Sequence, residues 1–295
     1  MKNLLILFTM FSCFIMGLAM GVYKFPPFQL ILEAKKIILS ESHLPDVNFG
    51  NFENCTLPQA SVIEDNSHVF IGHAYGSPSQ SNNASFLSQN AYTFIKKNSS
   101  KLSTLVFTGD VFYIPSIRKW SRLVTELSEN SDIFIAPGNH DIARSDSLDI
   151  FEMSRFGEYQ YPILSNVSNT PLIIENSVHS NWNVPISTIN LANSIDSSEI
   201  IIARHNVPIE DLLPLANGQT SKPADLVLIK DLVRKLDSTK SYYWIIGDSG
   251  AHKSLARLSC LKYDNHTFIL NGLGGVEGDT VVIYNHQGFK QYILP

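Results

Sequence analysis

From Ser61 onward, apolar runs of strand length alternate with segments of helical period, and five of the runs break off into tips that carry Asp, Asn or His. His68–Gly72 leads into His73-Ala74-Tyr75-Gly76, and Thr104–Phe107 leads into Gly109-Asp110. Ile133–Ile135 leads into Gly138-Asn139-His140-Asp141, Glu199–Ala203 into Arg204-His205-Asn206, and Tyr242–Ile246 into Gly247-Asp248. Between them, Ser85–Lys101, Ser116–Glu129 and Leu226–Leu236 space their apolar side chains as helices do. Two alternating periods of this kind predict an α/β domain. Ligands of open α/β sheets bind beyond the carboxyl ends of the strands, so the five tips are the candidate site. A single Gly-Asp after a strand is an ordinary turn, whereas five polar tips in succession ask for a common purpose.

The tips pool hard oxygen donors and imidazoles and contain no cysteine, a donor set that suits Zn, Mn, Fe or Mg. Metal-dependent hydrolysis is the chemistry such a set serves. Composition removes the main competitors. With 22 Lys+Arg against 27 Asp+Glu, the net charge of −5 excludes a generic nucleic-acid binder, which needs cationic excess to displace counterions from phosphates. At 44% hydrophobic and 17% charged over 295 residues, the chain has material for one large core and is not globally disordered. Gly272-Leu273-Gly274-Gly275 lacks the following Lys of a phosphate loop and reads as a turn between late strands.

The N-terminus is of another kind. Leu4–Tyr23 is uncharged for twenty residues, long enough to cross a hydrocarbon core of about 30 Å as a helix. Lys2 and Gly17-Leu18-Ala19 would also suit a cleaved signal peptide, but the apolar run continues past that point. The expected organisation is a signal anchor or transmembrane helix over 1–23, a juxtamembrane segment over 24–60 and a single domain over 61–295. The protein is then single-pass, with its body on the exported side. Cys13 falls in the apolar run, which leaves Cys55 and Cys260 as one disulfide in an oxidising compartment or as two free thiols.

In order and spacing the tips resemble the calcineurin-like metallophosphoesterases, whose signature runs Asp-x-His, Gly-Asp, Gly-Asn-His-Asp/Glu, a lone His, then Gly-His-x-His. The likeness extends from about Ser61 to the C-terminus, and Ala136-Pro137-Gly138-Asn139-His140-Asp141 is its most specific piece. It implies a four-layer α/β/β/α sandwich, one or two divalent metal ions at the strand ends and cleavage of a phosphomonoester or phosphodiester. It also implies roles: Asp110 bridges both metals, Asn139 and His205 bind the second, His140 contacts the phosphate and protonates the leaving oxygen, and Asp141 holds the His140 ring. Two cations in such a site clamp the attacking and leaving oxygens of an in-line displacement.

Two motifs depart from the family. His73 stands where the first Asp belongs and Tyr75 where its His belongs, while Asp248 and Gly250 replace the two histidines of the last motif. The exchange leaves the number of carboxylates unchanged. On this alignment the second metal keeps Asp110, Asn139, His205 and Asp248, and the first keeps Asp110 and His73 with Tyr75 and His252 as candidate further donors. Arg204 is a candidate phosphate contact or an exposed turn residue. The insertion Asp141–Leu191, with Phe151, Phe156, Tyr159, Tyr161 and Trp182, is expected to pack onto the sandwich, the alternative being a floor for a sugar or lipid. The implied substrate is a phosphorylated small molecule, glycan or lipid. The competing reading is a non-catalytic member that binds metal and a phosphorylated glycan or lipid.

Overall fold

A computed structural model describes residues 52–76, 86–180, 183–208, 227–248, 258–275 and 278–295. The expected anchor, Trp182, Gly250 and His252 lie outside the described residues. Among the described residues no helix is long and apolar enough to cross a membrane.

Five strands form one sheet in the order β12-β11-β2-β3-β4. They are β2 (Ser67–Ile71), β3 (Leu102–Phe107), β4 (Asp132–Ile135), β11 (Thr280–Asn285) and β12 (Gly288–Ile293). Here β2, β3 and β4 are parallel, and β11 closes antiparallel against β2. The second sheet has the order β1-β9-β10-β8-β7-β6-β5. Its strands are β1 (Glu53–Asn54), β5 (Ile163–Val167), β6 (Thr170–Ile174), β7 (Glu199–Arg204), β8 (Ser241–Ile246), β9 (Leu258–Tyr263) and β10 (His266–Asn271). Within it β6, β7, β8 and β10 run parallel. Among the described residues the α-helices are α1 (Gln89–Asn98), α2 (Ile117–Leu127), α3 (Asn139–Ile142), α4 (Ser145–Glu152), α5 (Ile186–Ser194) and α6 (Val227–Lys235).

Side-chain alternation along the strands sorts the core into layers. Val69 and Ile71 of β2 pack with Phe94 and Trp120 of α1 and α2 on the outer face of the five-stranded sheet. Phe70, from the other face of β2, meets Ile201, Ala203 and Ile245 of the second sheet. Ile200 and Ile202 of β7 face outward onto Ile189 of α5 and Ile229 of α6. Helices, sheet, sheet and helices thus make the expected α/β/β/α sandwich. Its helix starts are built locally: Ser88 accepts from the Ala91 N–H and Ser116 from the Lys119 N–H, each capping one orphan donor.

One boundary moves. Residues 52–60, expected as juxtamembrane, belong to the body: β1 pairs with β9, Cys55 is disulfide-bonded to Cys260, and Gln59 bridges Gln291. Local pattern could not show this, because every partner lies some two hundred residues away. The insertion packs as expected, with Phe151 and Phe156 edge-on against Trp120, and it also supplies the β5–β6 hairpin to the second sheet.

Candidate metal centre

The carboxyl ends of the parallel strands in both sheets meet at one edge, and glycines let them approach. A Cβ on Gly247 would lie 1.7 Å from the Thr108 carbonyl oxygen, and one on Gly109 would lie 2.4 Å from His205 Nδ1. Two site residues pay for their placement with unusual backbone: His73 has φ 46° and Asp110 φ 53°, a left-handed conformation that costs a non-glycine residue about 1 kcal/mol or more.

Around this edge the donors converge. His205 Nε2 lies 3.2 Å from Asn139 Oδ1 and 3.5 Å from Asp110 Oδ1. His73 Nε2 lies 3.6 Å from Asp110 Oδ2 and 3.5 Å from Asp248 Oδ1. Ligand atoms of His73, His205 and Asp248 all fall within 4.8 Å of one another, the one group of its kind among the described residues. Donors tetrahedrally placed about 2 Å from a common ion are separated by about 3.3 Å, so these spacings fit a shared cation. Both ring nitrogens of His73 are buried and have no hydrogen-bond partner. A buried imidazole with both nitrogens unpartnered, beside two carboxylates, is suited to binding a cation, so the residues present fit a metal.

The supporting shell is uneven. His205 Nδ1 meets the Thr108 carbonyl at 3.0 Å; since a carbonyl only accepts, Nδ1 carries the proton and the Nε2 lone pair faces the site. Burial pushes the His205 pKa down, but the charges of Asp110 and Asp248 outweigh it and the net shift is upward. Asp248 Oδ2 accepts from Asn206 Nδ2 at 3.1 Å, and the Asn206 Oδ1 accepts from Ser177 Oγ at 3.0 Å. Asn206 is a supporting residue that motif reasoning missed; its position next to His205 was the available signal. His73 has no such hydrogen bond and rests on ring packing with Tyr75 and His205.

Three expected roles change. Asp141 does not hold the His140 ring: its carboxylate accepts from the backbone N–H groups of Gly138 and Val111, the reciprocal half of a capping box. Burial, then repulsion from Asp110, raise its pKa to about 7. The His140 ring is oriented instead by the Tyr113 carbonyl, 3.1 Å from Nδ1, which leaves Nε2 3.9 Å from Asp110 Oδ2. Arg204 is neither exposed nor a phosphate contact. It shares the outward face of β7 with Ile200 and Ile202, is fully buried, and its Nη1 lies 3.2 Å from Glu175 Oε1. Tyr75 is buried among the rings of His73, Tyr113 and His140, and burial raises its phenol pKa far above the usual range, with Asp110 adding to it. That environment disfavours a phenolate. His73 faces Asp110 and Asp248 together, so donors assigned to the two metals lie in one cluster.

No family model and no curated protein matches the chain. Among solved structures, Vps29 of Chaetomium thermophilum is 13% identical and covers 78% of this chain and 97% of its own, with a TM-score of 0.31. A 5'-nucleotidase from Candida albicans SC5314 is 12% identical and covers 80% of this chain and 53% of its own, with a TM-score of 0.34. This chain therefore spans about half the length of that nucleotidase. At these scores the chemistry of the site rests on its own geometry.

Proposed function

We propose that the chain is a metal-dependent phosphoesterase of the calcineurin-like type, acting on a phosphomonoester or phosphodiester. The observation that carries this reading is the convergence of His73, His205 and Asp248 on one small space beside Asp110 and Asn139, with His140 at its rim. These five residues would hold a divalent cation, which when bound would supply a Lewis acid to polarise a phosphoryl oxygen and acidify water. His140 carries a proton at Nδ1 for the Tyr113 carbonyl, which presents Nε2 to the site. From Nε2, in the imidazolium form, a proton passes to the leaving oxygen. Asp110 fixes this arrangement by accepting the His140 backbone N–H at 2.9 Å. Gly138, with no side chain, leaves room for the Asp110 carboxylate.

The test is metal content per chain together with turnover of an aryl phosphate and an aryl phosphodiester. His140→Ala should lower turnover by about 10²–10⁴-fold with metal content intact. Bound metal with no turnover in the wild type would transfer the reading to a non-catalytic member that binds a phosphorylated glycan or lipid.

The run Leu4–Tyr23 is the proposed membrane anchor, and the Cys55–Cys260 disulfide favours an oxidising, exported location for the body. Retention in alkali-washed membranes is the expected outcome; release into the wash would mark the run as a cleaved signal.

A further inference from the structure

At the amino ends of the strands, away from the metal centre, a second constellation joins the two sheets. His68 is the second residue of β2, and Thr104 of β3 lies directly beside it. His68 Nδ1 is 3.0 Å from Thr104 Oγ1, and Nε2 is 3.0 Å from Ser168 Oγ. Ser168 comes from the other sheet, at the tip of the β5–β6 hairpin. A hydroxyl, an imidazole within hydrogen-bond reach and a third group that orients the imidazole are the parts of an activated nucleophile.

Access and protonation suit those roles. Ser168 is exposed, whereas His68 and Thr104 are buried at 6% and 4% exposure. Burial lowers the His68 pKa to about 4, so the ring is neutral at neutral pH and has one donor and one acceptor nitrogen. With Nδ1–H donated to Thr104 Oγ1, Nε2 accepts from the Ser168 hydroxyl and stands as its base.

The turn that carries Ser168 is strained and pinned. Ser168 has φ 47° and Asn169 φ 70°, the two positive values of a type I′ hairpin, in which Asn-Gly is the usual pair. A serine there costs about 1 kcal/mol or more, and the hydroxyl it brings is the one that reaches His68. Beyond the tip, Thr170 Oγ1 is 2.7 Å from the hydroxyl of Tyr284, which is the neighbour of His68 on β11. The tip is therefore held to the five-stranded sheet through both Ser168 and Thr170, and the alignment of hydroxyl and base is built in before any reactant arrives.

We propose that Ser168 is a second reactive centre, a nucleophile activated by His68 that takes the acyl group of small, unhindered esters. The Ser168 hydroxyl proton passes to His68 Nε2 as Oγ adds to the ester carbonyl carbon. The bond from that carbon to the alcohol oxygen then breaks, and the alcohol leaves with the proton from Nε2. Ser168 is left as an acyl ester and His68 is neutral again. This chemistry needs no metal and is independent of the phosphoesterase reading.

The experiment exposes the full chain to a biotinylated fluorophosphonate, which transfers a phosphonyl group to an activated serine with loss of fluoride. Labelling at Ser168, located by peptide mass spectrometry and absent in Ser168→Ala, is expected. Ser168→Ala should keep its metal content and any phosphoester turnover. His68→Gln still reaches Ser168 but is no base, and should slow labelling by about 100-fold or more. Thr104→Val keeps the base, removes its orienting partner and should slow labelling by about fivefold, the worth of one hydrogen bond; it carries the test if His68→Gln does not fold. Tyr284→Phe releases the other anchor of the tip without touching the base and should leave the rate nearly unchanged. No labelling, labelling at another residue, or a rate that His68→Gln and Thr104→Val leave unchanged would overturn the proposal. So would a loss in Tyr284→Phe as large as in His68→Gln, because rigidity of the turn rather than a base would then govern the reaction.

Discussion

Among the described residues four buried histidines form two pairs, one within the strands and one beyond their tips. His68 and His266 are 6% and 0% exposed; His73 and His205 are 4% and 0% exposed. Withdrawal from water is therefore the same, and the surroundings differ. His68 meets Thr104 Oγ1 and Ser168 Oγ, each at 3.0 Å. His266 Nδ1 accepts the Trp244 indole N–H at 3.0 Å, within a stack that includes Tyr242 and Phe268. Burial lowers both pKa values to about 4. His205 is as deeply buried, yet the carboxylates of Asp110 and Asp248 reverse the direction of its shift. The carboxylates a buried histidine faces thus set its character in this fold, and burial alone does not separate the two pairs.

The largest effect that would break this contrast comes from Asp110, which faces His73, His140 and His205 together. Asp110→Asn should lower metal affinity by more than about 100-fold, because even outer-shell partners are worth about 10–100-fold. Calorimetric titration with Zn²⁺ or Mn²⁺ reads it, and unchanged affinity would remove Asp110 from the ligand set.

Next in size is acid stability, carried by the strand pair. The His266 pKa falls from its ordinary 6.5 to about 4 in the folded chain, so the neutral form is the one the fold accepts. Its contribution is complete above pH 6.5 and is lost as pH falls through 6.5 towards 4, by about 2 kcal/mol at pH 5. His266→Gln keeps an acceptor for Trp244 and should flatten the decline in urea midpoint between pH 7 and pH 5. A decline as steep as in the wild type would assign the acid sensitivity to other groups.

The smallest effect sharpens the weaker side of the centre. Tyr75→Phe removes the phenol oxygen and keeps the ring against His73 and His140, so metal affinity should stay within about twofold. A tenfold loss would make Tyr75 a ligand after all.

Much of the fold was legible because its signals are local. Apolar runs of strand length and runs of helical period located the strands and helices near the site to within a few residues, and the turns after them named Asp110, Asn139, His140, His205 and Asp248 as candidates. Arg204 shows where such reading stops. The sequence placed it after the strand as a turn residue, whereas β7 runs through it, and the pairing of β6 with β7, which sets the Glu175 N–H on the Ala203 carbonyl, brings it beside a buried carboxylate. Asp141 is similar: its motif position pointed to His140, while the geometry of the turn gave its oxygens to two backbone N–H groups.

The sequence by itself determined the donors and the strand ends that carry them, since both follow from the chemistry of a few neighbouring residues. Tertiary structure alone decided that His73 joins His205 and Asp248, that Cys55 finds Cys260, and that the insertion adds a hairpin to the second sheet. Each of those depends on pairings and packing between residues that are far apart in the chain. Their approach is set by the packing of the whole core, which no local pattern encodes.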